Sequence, residues 1–205
     1  FTMKKLLSFL LIFLSTFFFS QEYTFDYSVK INHKSLTTND NEIDSFLFYF
    51  NNSNQNSLYN YNNGDLSLFD FDNKKKYVLK ELKDKTIQFS KMYDLSNQKD
   101  EMQINIISVD KISDNNFLIK TYKNRNSETP NLILKINIEE NENITPKLYL
   151  LDLSRNIHHK ILLELQKTVG KNNFLIKSIE IDYRNGYKSF QEVTDLYIKR
   201  TVFKL

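Results

Sequence analysis

The sequence predicts a mainly β domain, a curved antiparallel meander of half-barrel or open-barrel form carrying one amphipathic helix near 156–169. Three observations lead there. Apolar residues recur with period two, as they do on strands with one buried face. Short apolar runs return at roughly ten-residue spacing, which suggests a meander, sandwich or barrel. The rare glycines and prolines fall between those runs as punctuation.

The opening twenty residues stand apart. Lys4 and Lys5 precede an apolar run from Leu6 to Phe19 broken only by Ser8, Ser15 and Thr16, and Ser20 is a small residue before the polar Gln21. A charged start, an apolar middle and a small residue at the boundary describe a secretory signal peptide over residues 1–20. A retained anchor is the competing reading, although the run is short for a full bilayer. The chain is therefore expected to be exported, either periplasmic or secreted, with outer-membrane association a further placement. Residues 21–205 are read as a single β-rich domain.

Along that domain, Tyr23, Phe25, Tyr27, Val29 and Ile31 alternate with Thr24, Asp26, Ser28 and Lys30, which makes the first strand. Strands are predicted next at 45–50, 57–61, 66–71, 76–82, 86–92, 103–109 and 117–122. Leu132, Leu134, Ile136 and Ile138 mark another, and further runs lie at 147–153, 174–177 and 194–203. Ile179, Ile181 and Tyr183 alternate again, and Asn185-Gly186 follows them as a type I′ hairpin turn, where both central residues need positive φ. Asn63-Gly64 is a second such dipeptide, and Pro130 and Pro146 precede apolar runs where a missing amide is tolerated. One segment changes period. Ile157, Ile161, Leu162, Leu165 and Val169 follow helical spacing, with Ser154 as N-cap and Gly170 just past the end. A lone amphipathic helix needs an apolar surface, and the curved sheet supplies one.

Composition narrows the function. The 205 residues include 28 Lys and Arg against 25 Asp and Glu; without residues 1–20 the basic count falls to 26 and the net charge to +1. That balance gives no electrostatic footprint for nucleic acid. The absence of cysteine excludes disulfides, a thiol nucleophile, thiolate metal sites and a lipidated cysteine. The chain lacks alanine and tryptophan and is rich in Asn, Lys, Ile and Phe, residues with AT-rich codons, so the prion-like tract from Phe46 to Asn63 reflects genome bias as readily as function.

Candidate chemistry is sparse. Asp70, Asp72, Asn73 and Glu81 suggest a calcium loop, but Lys74 and Lys75 stand where an oxygen ligand and a glycine are required. Glu139, Glu140 and Glu142 read as a solvated acidic turn. His158 falls in the helix's apolar stripe while His159 points about 100° away, so the two cannot share a metal as an i, i+4 pair does. Lys74, Lys75, Lys76, Lys80, Lys83, Lys85 and Lys91, with Tyr77 and Phe89, would suit an anionic head group or polysaccharide, or simply protect an exposed strand edge. There is no nucleophile elbow, no HExxH and no phosphate-binding glycine loop, and no cofactor motif. A non-enzymatic role is expected.

A signal peptide, an alternating TFDYSVKIN strand, a long meander, and a late helix followed by a closing hairpin are similar in layout to the lipoprotein-carrier (LolA/LolB-like) superfamily and other small exported β-rich proteins of Gram-negative bacteria. That resemblance implies a curved half-barrel covered by helices and holding acyl chains. The leading expectation is thus a binding protein that carries a lipid or other hydrophobic small molecule. Phe25, Tyr27, Phe48, Phe50, Ile161 and Leu165 are the candidate lining residues, although the same side chains would serve an ordinary core. The alternative is an envelope or cell-surface module that binds a protein or glycan through exposed Tyr and Asn. A carboxylate hydrolase is a third reading.

Overall fold

The computed structural model describes residues 21–38, 42–96, 102–149 and 153–205. The expected signal peptide, residues 1–20, lies outside them. Eleven strands run in chain order: β1 (Glu22–Ser35), β2 (Ile43–Phe50), β3 (Ser57–Tyr61), β4 (Asp65–Asp70), β5 (Lys75–Glu81), β6 (Ile87–Asp94), β7 (Ile106–Lys111), β8 (Asn116–Tyr122), β9 (Leu132–Glu139), β10 (Leu175–Asp182) and β11 (Lys188–Lys204). One helix, α1 (Arg155–Val169), lies between β9 and β10. All eleven strands join in one antiparallel sheet that does not close, in the order β6-β5-β4-β3-β2-β1-β11-β10-β9-β8-β7.

That order makes two wings. Strands β1 to β6 form one meander and β7 to β11 the other, and β1 and β11 pair at the centre from Glu22↔Lys204 to Ser35↔Ser189. Chain length alone requires the sheet to curve. Laid flat, ten inter-strand steps of ~4.8 Å would put the two edge strands about 48 Å apart, whereas the 12 residue steps from Asp94 to Ile106 reach about 40 Å at full extension.

The concave face carries the main core. Val29, Ile31, Phe46, Phe48, Phe50 and Tyr59 of one wing meet Phe117, Ile119, Leu134, Ile136, Ile179 and Ile181 of the other. Helix α1 lays Ile157, Ile161 and Leu165 into this core and packs against β7 and β8. Its ends form as expected. The Ser154 side chain accepts from the Ile157 amide at 3.4 Å, and Gly170 takes φ +75°, its amide donating to the Gln166 carbonyl at 2.9 Å.

A smaller core occupies the opposite face. Alternation on β3 and β4 sends Tyr59 and Phe69 inward but Leu58, Leu66 and Leu68 outward, where Tyr77 and Leu79 of β5 join them. β2 ends at Phe50 opposite Tyr27, and beyond that point β1 keeps only β11 as a neighbour. A bulge between Phe25 and Tyr27 in the β1–β11 ladder accompanies the turn, and Tyr23 and Phe25, with Phe203 and Leu205, pack on the outward leucines.

Three sequence expectations need correction. In the run expected at 147–153, Lys147–Tyr149 and Leu153 are described and none of them is in a strand. Leu148 and Tyr149 are both buried, and the segment crosses the concave face, so its apolar side chains go into the core without a ladder. The β10–β11 turn is not type I′. Arg184 (φ +59°) and Gly186 (φ +98°) are left-handed while Asn185 is not, and Tyr183 closes the loop by donating to the Tyr187 carbonyl at 3.1 Å. At the β3–β4 turn, too, only Gly64 has positive φ (+82°); the Gly64 amide donates to Tyr61 at 2.9 Å, which is a type I turn completed by a left-handed residue.

Candidate functional site

Strand alternation builds an aromatic wall on the concave face. Phe46, Phe48 and Phe50 occupy alternate positions of β2, and neighbouring strands add Tyr59 and Phe69 at matching positions. The rings touch in sequence. Tyr27 stacks on Phe50 at 5.5 Å, Phe50 on Phe48 at 5.4 Å, Phe48 tilts against Tyr59 at 4.7 Å, Tyr59 meets Phe69 edge-on at 5.6 Å, and Phe69 stacks on Phe71 at 5.7 Å.

The loop that follows β9 faces this wall. Asn52, between β2 and β3, anchors it twice: its Nδ2 donates to the Asn143 carbonyl at 2.6 Å and its Oδ1 accepts from the Thr145 amide at 3.0 Å. The Tyr27 hydroxyl donates to the same Asn143 carbonyl at 3.1 Å. Thus tethered, the loop carries Pro146 and Leu148 inward and sets Tyr149 edge-on to Phe48 at 5.3 Å.

Between wall, loop and the first two turns of α1 lies a cavity of about 280 Å³. Phe48, Phe50, Tyr59, Phe69 and Phe71 form one side, Leu148, Leu153 and Leu162 the other. The rim is polar. Gln55 and Asn56 come from the β2–β3 loop, Lys147 from the crossing loop, and Arg155, His158, His159 and Gln166 from the helix. The Arg155 guanidinium lies over the Phe71 ring at 4.9 Å, and its Nε donates to the Gln55 side chain. Lys147 Nζ donates to the Asn54 carbonyl at 3.3 Å. Burial, then the Arg155 charge, hold the Lys147 ammonium below the usual lysine range. Burial also pushes Arg155 down, and Asp72 pulls it back. Burial raises the phenols of Tyr59 and Tyr149, so both stay neutral.

A second cleft, of about 590 Å³, opens at the other end of the concave face. Its rings are Phe46, Tyr61, Tyr149, Tyr183 and Tyr187, and its polar groups include Asp44, Asn62, Asn63 and Gln191. The Gln191 side-chain oxygen is buried there without a hydrogen-bond partner. Burial pushes the Tyr61 phenol up to about 12.

Of the six expected lining residues, Phe48 and Phe50 line the first cavity, and Tyr27 stands behind them in the ring sequence. Ile161 and Leu165 are fully buried beneath the helix and border neither space. Phe25 is fully buried in the outer core, facing away from the cavity. Sequence reading missed Phe69 and Phe71, which continue the alternation of β4, and missed Lys147 with Arg155, which come together only because the crossing loop brings them there. Among the described residues no cluster of three or more metal-ligating side chains occurs, and no helix is long and apolar enough to cross a membrane.

No protein-family model matches the chain, and no curated protein matches it. Among solved structures it is similar to a DUF1329 family protein from Desulfovibrio piger, at 8% identity over 91% of this chain and 89% of that one, with a TM-score of 0.26. A likeness at that level establishes neither a shared fold nor a shared function.

Proposed function

We propose that this chain is an exported, non-enzymatic binding protein that carries a lipid or other hydrophobic ligand in the cavity between its aromatic wall and α1. The observation that carries the reading is the cavity itself: eight apolar or aromatic side chains, five from the β1–β6 wing and three from the crossing segment and α1, border space rather than fill it, and the polar groups stand at the rim. That is the ordinary division of labour in small-molecule sites. An open eleven-stranded sheet with a helix over its concave face also supports the likeness to lipoprotein carriers. Lys4, Lys5 and the Leu6–Phe19 run support export. Mass spectrometry of protein from the native host should then find a mature start near Gln21, and an intact apolar segment on a membrane-embedded protein would establish an anchor instead.

The direct test is titration of the mature protein with fluorescent fatty-acid and phospholipid probes. Binding at micromolar concentration is expected. Leu162→Trp, on the cavity wall and half-exposed, should abolish it while leaving the melting temperature within a few degrees. Failure of the unmodified protein to bind any probe, or unchanged binding by the variant, removes the carrier reading.

A second reading rests on the tyrosine-lined cleft. Aromatic faces beside Asp44, Asn62, Asn63 and an unpartnered Gln191 oxygen suit a hydroxyl-rich ring, so a glycan-binding module is the alternative. A glycan array that retains the protein through Tyr61 or Gln191 would favour it.

A further inference from the structure

The rim of the apolar cavity gathers two cations, Lys147 and Arg155, that no described carboxylate meets within ion-pair distance. Elsewhere on the surface lysines meet carboxylates closely: Lys80 and Asp65 at 2.6 Å, Lys135 and Glu180 at 2.8 Å, Lys188 and Asp182 at 3.0 Å. Neither Lys147 nor Arg155 forms an ion pair with any described carboxylate; their hydrogen bonds go to the neutral oxygens of Asn54 and Gln55. Asp72, the acid that acts on Arg155, accepts instead from the Asn56 side chain at 2.9 Å.

The helix adds to this. Its first turn, which borders the cavity through Arg155 and His158, contains no acidic residue, so its unpaired amides and dipole contribute further positive potential. Two like charges, partly withdrawn from water and facing one cavity, are unfavourable in the empty protein. An anion between them would turn that repulsion into attraction and supply charge-assisted hydrogen bonds.

We propose that the ligand of this cavity is a single-chain amphiphile with an anionic head group, a carboxylate or a phosphate, and that Lys147 and Arg155 bind that head while the chain lies against Phe48, Phe50, Phe69 and Leu162. The inference rests on the carrier reading and sharpens it. A volume of about 280 Å³ lies just below the ~300–1,000 Å³ typical of ligand sites, which favours one acyl chain over two. The planar guanidinium, already placed over the Phe71 ring, presents a fork suited to either oxyanion, and the lysine supplies a mobile point charge beside it.

The experiment compares three ligands of one chain length on the mature protein: hexadecanoate, 1-hexadecanoyl glycerol 3-phosphate and hexadecanol, each displacing a bound fluorescent probe. At least one anion should bind about tenfold or more tighter than the alcohol, as one charge-assisted contact implies; whichever anion binds tighter identifies the head group. Lys147→Gln and Arg155→Gln should each weaken the anion about tenfold and leave hexadecanol unchanged, with melting temperatures preserved. Arg155→Lys, which keeps the charge but not the planar fork, should bind the anion more tightly than Arg155→Gln and separates charge loss from misfolding. If hexadecanol binds as tightly as both anions, or if the glutamine variants weaken all three ligands equally, the head-group assignment is wrong although the carrier reading survives. If none of the three binds, the carrier reading falls with it.

Discussion

Asp70 is the most informative residue to perturb, because it is a carboxylate with no accessible surface that forms no ion pair with a described cation. One oxygen, Oδ2, accepts from the Tyr23 hydroxyl at 2.7 Å, the Asn73 side chain at 2.8 Å and the Gln21 side chain at 3.0 Å; Oδ1 accepts from the Asn73 amide at 3.0 Å. Burial alone would raise its pKa, but these donors outweigh burial and hold the carboxyl below its ordinary value. In Asp70→Asn the amide oxygen can replace Oδ2 and keep three bonds, each about 1 kcal/mol weaker for lack of charge, while its NH2 confronts the Asn73 amide and loses the fourth. The gross loss is roughly 5 kcal/mol, and relief of a buried charge returns several kcal/mol, leaving a net cost of about 2 kcal/mol. Asp70→Ala removes every acceptor and should cost about 3–5 kcal/mol. Because the folded carboxyl is depressed, its contribution is complete above the unfolded pKa of ~3.9 and is lost as pH falls through the folded value. The gap between wild type and Asp70→Asn in urea unfolding should therefore be widest at pH 7 and narrower by up to about 1.3 kcal/mol at pH 3. A gap below about 0.5 kcal/mol at pH 7, or one that widens on acidification, would refute the reasoning.

The two turn glycines should respond differently to alanine. At Gly64 (φ +82°) a Cβ would stand 2.9 Å from the Glu81 carbonyl oxygen, whereas at Gly186 (φ +98°) it would meet open space. Each substitution carries a left-handed penalty of about 1 kcal/mol, and only Gly64→Ala should lose roughly 1–2 kcal/mol more through displacement of β5; equal melting temperatures would deny the close approach. Leu165→Glu should unfold the domain, since the side chain is fully buried in the main core and an unpaired carboxylate there costs several kcal/mol. A cooperative thermal transition within a few degrees of wild type would show that the helix does not seat as described.

Much of the architecture is legible because it is local. Alternation over Tyr23–Ile31 and Leu132–Ile138, and the Ser154 and Gly170 caps around a period of 3.6, each report the conformation of their own segment. What alternation cannot report is where a strand goes after a bulge. Phe25 shares a face with Val29 and Ile31, yet the bend between Phe25 and Tyr27 carries it to the other core, away from the cavity for which its pattern suggested it. The run at 147–153 shows a related limit, because apolar content predicts burial but not hydrogen bonding, and Leu148 and Tyr149 are buried from a loop. Arg155 and Lys147 looked like unremarkable surface charges in sequence. Their neighbourhood depends on Asn52 catching the loop 91 residues later, a contact that no short-range pattern encodes.

The central seam sets the order in which this molecule can assemble. Within each wing neighbouring strands follow one another in sequence, joined by short connections except between β9 and β10, where the crossing loop and α1 intervene, so most of each wing can form from contacts that close quickly. The ladder that makes them one sheet joins Glu22 to Lys204, a pairing between the first and last of the described strands. As the polypeptide emerges from the ribosome, β1 can pair with β2 and then has one edge bare until β11 is made. During that interval Tyr23 and Phe25 have no β11 beside them, and the outer core lacks Phe203 and Leu205. Pairing of β11 with β1 is therefore the step that commits the whole sheet.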